Sequence, residues 1–329
     1  MKALEAVALG KLDMNAIAKR GTGLAVADSV RPFNAAPHRI RAQEWIGWIP
    51  LAALPLAALA LRDALPAWAF MWTLAIAIFA GFKWQTWWDA PAARRRENWR
   101  RTLAYLLLWP GMGADEFFEP GLHPRPIATG EWLAAIAKTL AGAALSFVAA
   151  GDVVSRHPMV AGWIGMIGLV LALHFGAFQL IALAWQRVGI RAEPIMRRPL
   201  ASQSLGEFWG KRWNLGFRKL SHALVFQPLQ KRFGTGAGAL GAFIASGLIH
   251  DLVISVPARG GYGLPTAYFL LQGLGALAER SSTGRRLGLG RGLRGRLWTA
   301  LVAMAPLPCL FHPWFVMRVM APFLHAIAG

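Results

Sequence analysis

The sequence predicts an all-α polytopic transmembrane helical bundle of about seven to nine spans, with re-entrant and interfacial amphipathic helices among them. Three observations predict it. Of the 329 residues, 56% are hydrophobic, more than a soluble protein of this length needs. Several apolar runs approach the ~20 residues that cross a bilayer. The basic excess, 35 Lys and Arg against 16 Asp and Glu, sits in the gaps between those runs. That is the positive-inside pattern with attraction to anionic lipid, and it excludes nucleic acid as a partner.

Each element can be justified in turn. Residues 1–45 are mixed and basic and are expected as a cytoplasmic arm ahead of a membrane domain over 46–329. Lys2, Lys11, Lys19 and Arg20 lie in it without the apolar stretch and cleavage site of a secretory leader. Spans are expected at 45–61 and 66–82, with Arg62 and Asp63 in the short gap. Lys83, Trp84, Trp87 and Trp88 then precede an arginine cluster, the pattern of an interfacial anchor. The apolar run 103–109 is too short to span and stops at Pro110-Gly111, which predicts a re-entrant or interfacial element. Further spans are expected at 132–150, 159–185, 237–256 and 264–278. The segments 186–234 and 279–296 are basic, and the tail from Leu297 is apolar but broken by Pro306, Pro308 and Pro313. With every basic segment on the cytoplasmic side, the order closes only if 103–109 does not cross. The single cysteine, Cys309, excludes an internal disulfide and a cysteine-based metal site, and no metal is expected.

Two segments carry candidate chemistry. In the first, Leu205, Trp209, Trp213, Phe217, Leu220 and Leu224 recur at helical spacing, interleaved with Lys211, Arg212, Arg218 and Lys219. That predicts an amphipathic helix or helix pair at the cytoplasmic interface. Spacing alone allows it to be a simple anchor, with Asn214 an ordinary polar-face residue. In the second, His250 and Asp251 lie inside the apolar run 236–256. Ionisable groups there are costly to desolvate and usually face a cavity. A structural hydrogen bond between helices is the alternative, and His174 is expected to be of that kind. An adjacent acid can hold an imidazole in one tautomer. Neighbouring helical residues point about 100° apart, however, so a direct His250–Asp251 bond is not assured. A transporter with a His–Asp proton relay is the rival reading from a different class. No internal repeat accompanies it.

Phe208-Trp209-Gly-Lys-Arg212-Trp213-Asn214, followed by Ser246-Gly-Leu-Ile-His250-Asp251, resembles the membrane-bound O-acyltransferase superfamily, and within it the wax-synthase-like branch. Trp109-Pro-Gly-Met112 and Phe311-His-Pro-Trp-Phe315 extend the resemblance over most of the chain. Two positions depart from the pattern: Asp251 stands where plant members more often carry Glu, and Lys211 stands in place of Arg. The resemblance implies acyl transfer from acyl-CoA, as co-substrate and with no bound cofactor, to the hydroxyl of a long-chain alcohol, giving a wax ester. It implies His250 as general base and Asn214 as the group that orients or stabilises the reacting carbonyl. Phe208, Trp209, Arg212, Trp213, Ser246 and Asp251 are the expected substrate-binding residues. Ser246, one turn before His250, is read as packing or as a hydrogen-bond partner of the imidazole, not as a nucleophile. Arg212, Arg218, Lys219, Lys231 and Arg232 are expected to meet the CoA phosphates. The Ala, Arg, Gly and Pro bias points to a bacterial inner membrane, with the N-terminus cytoplasmic. Diacylglycerol, a sterol or a sugar hydroxyl remain alternative acceptors, and acyl length and oligomeric state are not encoded legibly.

Overall fold

Four helices set the frame of this all-α chain, and a hairpin inside one of them positions the candidate site. The computed structural model describes residues 42–90, 98–119 and 126–328. The first 41 residues of the expected arm, and Arg94–Arg96, lie outside them. The helices are α1 (Ala42–Ala60), α2 (Ala67–Asp89), α3 (Trp99–Leu108) and the short α4 (Ala114–Phe118). Then come α5 (Thr129–Gly151) and α6 (Pro158–Arg187). The one-turn α7 (Leu205–Glu207) leads into a π-helical turn at Phe208–Arg212. It is followed by α8 (Leu215–Ala258), α9 (Leu264–Arg280) and α10 (Ser282–Leu287). The chain closes with α11 (Gly292–Leu310) and α12 (Pro313–Ile327).

Among the described residues, α2, α5, α6 and α8 are long and apolar enough to cross a membrane. α11 and α12, bent by 56° at His312, make a fifth if taken as one broken span. The predicted helices are present, and among the described residues four, or five with the bent pair, have the length and composition of a span, where seven to nine were expected. The apolar part of α1, Ile46–Ala60, is short and contains Pro50 and Pro55. α9 has 17 residues and ends on Glu279 and Arg280. Large apolar side chains are exposed on the outside, Leu56, Leu107, Leu140 and Phe147 each by more than 60%. Lipid facing them removes the cost that water would impose. The chain is an integral membrane protein.

The central core joins α2, α6, α8, α9 and α12 through Met71, Met166, Ile254, Phe269 and Val316. A second cluster gathers Tyr105, Trp109, Phe117 and Ala182 around α3, α4 and α6. α3 is capped by the Asn98 side chain, which accepts from the backbone N–H groups of Arg100 and Arg101.

α8 is not one straight rod. Gly234 has φ 87° and ψ 170°, outside the helical region. Only glycine adopts that conformation freely. The helix turns back there. A Cβ at Gly238 would meet the Phe226 carbonyl, and one at Gly241 would meet Val225 and Leu229. In a straight helix those partners would lie about 18 Å or more apart. The basic amphipathic arm, 215–233, is therefore antiparallel to the apolar arm, 235–258. The predicted amphipathic element is the helix-pair alternative, broken at Asn214. The apolar arm then lies against α9, where the Gly247 Cβ position comes within 2.7 Å of the Thr266 Cα.

Candidate active site

The Phe208–Asn214 block is held by α9. Buried Glu279 accepts from the backbone N–H of Leu205 at 2.8 Å and of Gly206 at 2.9 Å. Further along, Trp209 Nε1 donates to Gln272 Oε1 at 3.3 Å, and Gln272 donates to the Val302 carbonyl. The Trp209 ring meets Phe243 and Phe269. The block thus runs from the C-terminal end of α9 toward its middle. Phe208 stacks on Trp213 at 14° and 5.4 Å, and Trp213 packs edge-on against Phe175 of α6. Arg212 is committed internally. It pairs with Glu207 at 2.6 Å and donates to the Arg197 and Arg198 carbonyls.

Asn214 ends the block with left-handed backbone, φ 44° and ψ 55°. Asparagine tolerates that conformation better than most residues. Its backbone N–H donates to Met196 Sδ at 3.3 Å, and the next, that of Leu215, to the Ile195 carbonyl. Its side-chain amide makes no hydrogen bond to another described residue.

His250 is half-buried on the apolar arm. Its Nδ1 lies 2.7 Å from the Ser246 carbonyl, one turn back. A carbonyl only accepts, so Nδ1 carries the proton. Nε2 is left with its lone pair and no protein partner among the described residues. The imidazole ring lies 4.5 Å from Phe269, the ring that also meets Trp209. Gly238–Phe226 and Gly241–Val225 set the register of the hairpin. These contacts lie toward the turn of the hairpin, and no hydrogen bond joins His250 to Asn214 among the described residues.

Asp251 does not touch His250. It accepts from Ser255 Oγ at 2.9 Å, from the backbone N–H of Gly263 at 2.8 Å and of Thr266 at 3.0 Å, and from Thr266 Oγ1. It caps α9. Ser255 Oγ also lies 3.2 Å from Nε2 of buried His312, whose Nδ1 accepts from Phe315 N at the start of α12. Ser246 serves through its carbonyl rather than its hydroxyl. His174 packs on Phe178 at 5.4 Å, and its Nδ1 is buried without a hydrogen-bond partner, so it is not the interhelical link expected of it.

A cavity of about 320 Å³ is lined by residues that flank Asn214 in the chain, Lys211, Leu215 and Gly216, while neither Asn214 nor His250 is part of its lining. Trp109, Gly111 and Met112 form one wall, and Leu215 and Gly216 the other. Lys211, Arg218 and Lys219 line it, together with Arg191, Arg197, Glu116 and Glu193. Lys219 pairs with Glu116 and Arg218 donates to the Gly210 carbonyl. Lys211 carries no ion pair among the described residues. Lys231 and Arg232 lie near the turn of the hairpin and do not reach the cavity. The cavity wall rests on Lys83. Read from the sequence as part of a surface anchor, Lys83 is buried. Its Nζ donates to the Gly111 carbonyl and stands 3.4 Å from the centre of the Tyr105 ring. Sequence reasoning missed this residue and Glu279. Lys83 is a charge inside an apolar helix, and that was the available clue; Glu279 stands at the end of its helix beside Arg280 and gave none.

Comparison with known proteins falls on the same region. Residues 192–271 match the model of the membrane bound O-acyl transferase family. The chain is 26% identical over 169 residues to probable long-chain-alcohol O-fatty-acyltransferase 1 of Arabidopsis thaliana, covering 49% of this chain and 48% of that protein. It is 27% identical over 156 residues to the long-chain-alcohol O-fatty-acyltransferase of Simmondsia chinensis, covering 42% and 44%. It is 30% identical over 101 residues to acyl-CoA–sterol O-acyltransferase 1 of Arabidopsis thaliana, covering 27% and 29%. The chain spans about half or less of the length of these relatives. The segment matched by the family contains both blocks, from Phe208 to Asn214 and from Ser246 to Asp251, and the chain is similar to wax-synthase-like members of that family.

Proposed function

We propose that this protein transfers a fatty acyl group from acyl-CoA to the hydroxyl of a long-chain alcohol, forming a wax ester and free CoA. The observation that carries the reading is the His250 tautomer. With Nδ1–H bonded to the Ser246 carbonyl, Nε2 is the basic nitrogen and has no partner among the described residues. A general base needs that arrangement.

Nε2 takes the alcohol proton as the hydroxyl oxygen attacks the thioester carbonyl carbon. The carbonyl electrons move onto oxygen, and the Asn214 amide N–H donates to that oxyanion. The oxyanion collapses, the C–S bond breaks, and the CoA sulfur leaves with the proton held by the imidazolium. No covalent acyl-enzyme is required. Trp209, Phe269 and Phe243 form an aromatic wall next to the imidazole, suited to aliphatic chains. Phe208 and Trp213 extend it toward α6. Lys211, Arg218 and Lys219 in the cavity lined by Leu215 and Gly216 suit the CoA phosphates. Arg212 and Asp251 act by holding the frame. The basic segments lie on the cytoplasmic side of a bacterial inner membrane, with the 1–45 arm.

The similarity to a sterol acyltransferase supports a second acceptor class with the same chemistry. The test is an acyl-transfer assay on the purified protein, with labelled palmitoyl-CoA and hexadecanol, diacylglycerol or a sterol in parallel. Ester formed on hexadecanol is the expected result. Ester formed only on a sterol moves the acceptor and keeps the mechanism. No ester on any acceptor from folded protein overturns the reading.

A further inference from the structure

A second cavity lies at the opposite end of α2 from Lys83. It has a volume of about 340 Å³ and sits between the α1–α2 turn, the end of α8 and α12. Leu65, Phe70 and Val256 give it an apolar floor, and three arginines from three separate segments line it: Arg62, Arg259 and Arg318. Arg318 donates to the Ala258 and Arg259 carbonyls at 3.1 Å and 3.0 Å, which fixes the rim. Arg259 pairs with Asp63 at 2.5 Å, where both side chains are more than half exposed. Arg62 has no ion pair or hydrogen bond among the described residues. Three guanidinium groups therefore face one carboxylate.

Two further facts point to a ligand. Arg259 has left-handed backbone, φ 49°. A glycine would adopt that conformation without steric cost, and Gly260 and Gly261 follow at once. The chain keeps a guanidinium at a place where the backbone favours none. The surroundings are also amphiphilic in the right order, with planar cationic forks at the rim and an apolar surface beneath. Guanidinium groups recognise phosphate in bidentate fashion, and an aliphatic chain suits Leu65, Phe70 and Val256.

We propose that this cavity binds the phosphate of an anionic phospholipid, with Arg62 and Arg259 on the phosphate and an acyl chain along the apolar floor. The occupant would brace the turn 257–263. That turn supplies the Gly263 N–H that Asp251 accepts, so the site supports the helix end next to His250. The binding itself does not depend on the acyl-transfer reading.

The test uses the full chain purified in detergent. Its thermal midpoint is followed as dioleoyl-phosphatidylglycerol, dioleoyl-phosphatidylcholine or inorganic phosphate is added. Wild type, Arg62→Gln, Arg62→Gln with Arg259→Gly, and Arg294→Gln are compared. Arg62 makes no internal bond and glycine keeps the Arg259 backbone, so these variants should fold. Phosphatidylglycerol should raise the midpoint of wild type and of Arg294→Gln more than phosphatidylcholine does. The apparent affinity should fall about tenfold or more in Arg62→Gln, as expected for one lost charge-assisted contact. The double variant should lose most of the response. Equal responses in all four proteins would overturn the proposal. A full response to inorganic phosphate alone would keep a phosphate site but remove the lipid as its source.

Discussion

Each of the two sequence blocks sets committed polar groups beside open ones, and they do so with different residues. From Phe208 to Asn214, Trp209 is held by Gln272 and Arg212 by Glu207 and two carbonyls, while Lys211 has no ion pair and the Asn214 amide no hydrogen bond among the described residues. From Ser246 to Asp251 the chain satisfies one ionisable group fully and leaves its neighbour half open. Asp251 accepts four hydrogen bonds. His250 uses one nitrogen and keeps the other. An ionisable group within an apolar helix normally faces a cavity and acts there, so the open nitrogen is where an outside molecule is expected. The saturated groups build the frame.

The largest effect should follow from removing the open nitrogen. His250→Ala should lower kcat by about 10²–10⁴-fold, the usual worth of a positioned base, with little change in thermal midpoint. Unchanged turnover in the variant would end the comparison, because the open nitrogen would then have no task. Asn214 should come next, and it separates chemistry from backbone. Asn214→Gly keeps the left-handed conformation and removes the amide, while Asn214→Asp keeps the shape and replaces the donor by a charge. If the amide meets the oxyanion, both should lose about 10²–10³-fold in kcat. Full activity in Asn214→Gly would make Asn214 a backbone residue only.

Asp251 should behave differently from its neighbour. Asp251→Ala strands the donors of Gly263, Ser255 and Thr266, and should cost about 3 kcal/mol of stability. The readout is the thermal midpoint in detergent. Turnover per folded molecule should fall less than tenfold. A loss of kcat as large as that of His250→Ala, without a lower midpoint, would place Asp251 in the chemistry.

The helices were legible in the sequence because runs of apolar residues punctuated by arginine leave few other folds. The two blocks were legible because tryptophans, an asparagine and an intramembrane histidine are uncommon neighbours. Three things were not. The turn at Gly234 is hidden, since Gly-Thr-Gly-Ala-Gly looks the same in a straight small-residue helix as in a hairpin; only a tertiary contact such as Gly241 on Leu229 reveals it. Lys83 reads as a surface charge because it adjoins Trp84 and Trp87. Its burial depends on the Gly111 carbonyl, which is distant in sequence. For Asp251, adjacency to His250 left a direct bond unassured and named no other partner. Its true partners sit across a loop, at Gly263 and Thr266.

The smallest expected effect tests whether Glu207 and Arg212 only build the frame. Glu207 accepts from the Gln203 backbone N–H at 2.7 Å and from Arg212 Nε at 2.8 Å. The Gln203 N–H holds its carboxyl below the usual range, against a smaller opposing push from burial, and Arg212 adds to the lowering. A carboxyl lowered on folding stabilises fully above its unfolded value, near 4.3, and loses that contribution as pH falls through the lower folded value. Glu207→Gln should therefore cost about 1 kcal/mol at pH 7. The difference in midpoint between variant and wild type should shrink as the pH drops below about 4.3. Turnover should barely change, because the block would still meet Glu279 and Gln272 on α9. A large loss of turnover at an unchanged midpoint would mean that the pairing of Arg212 is itself part of substrate binding, and Arg212 would no longer count among the groups that only build the frame.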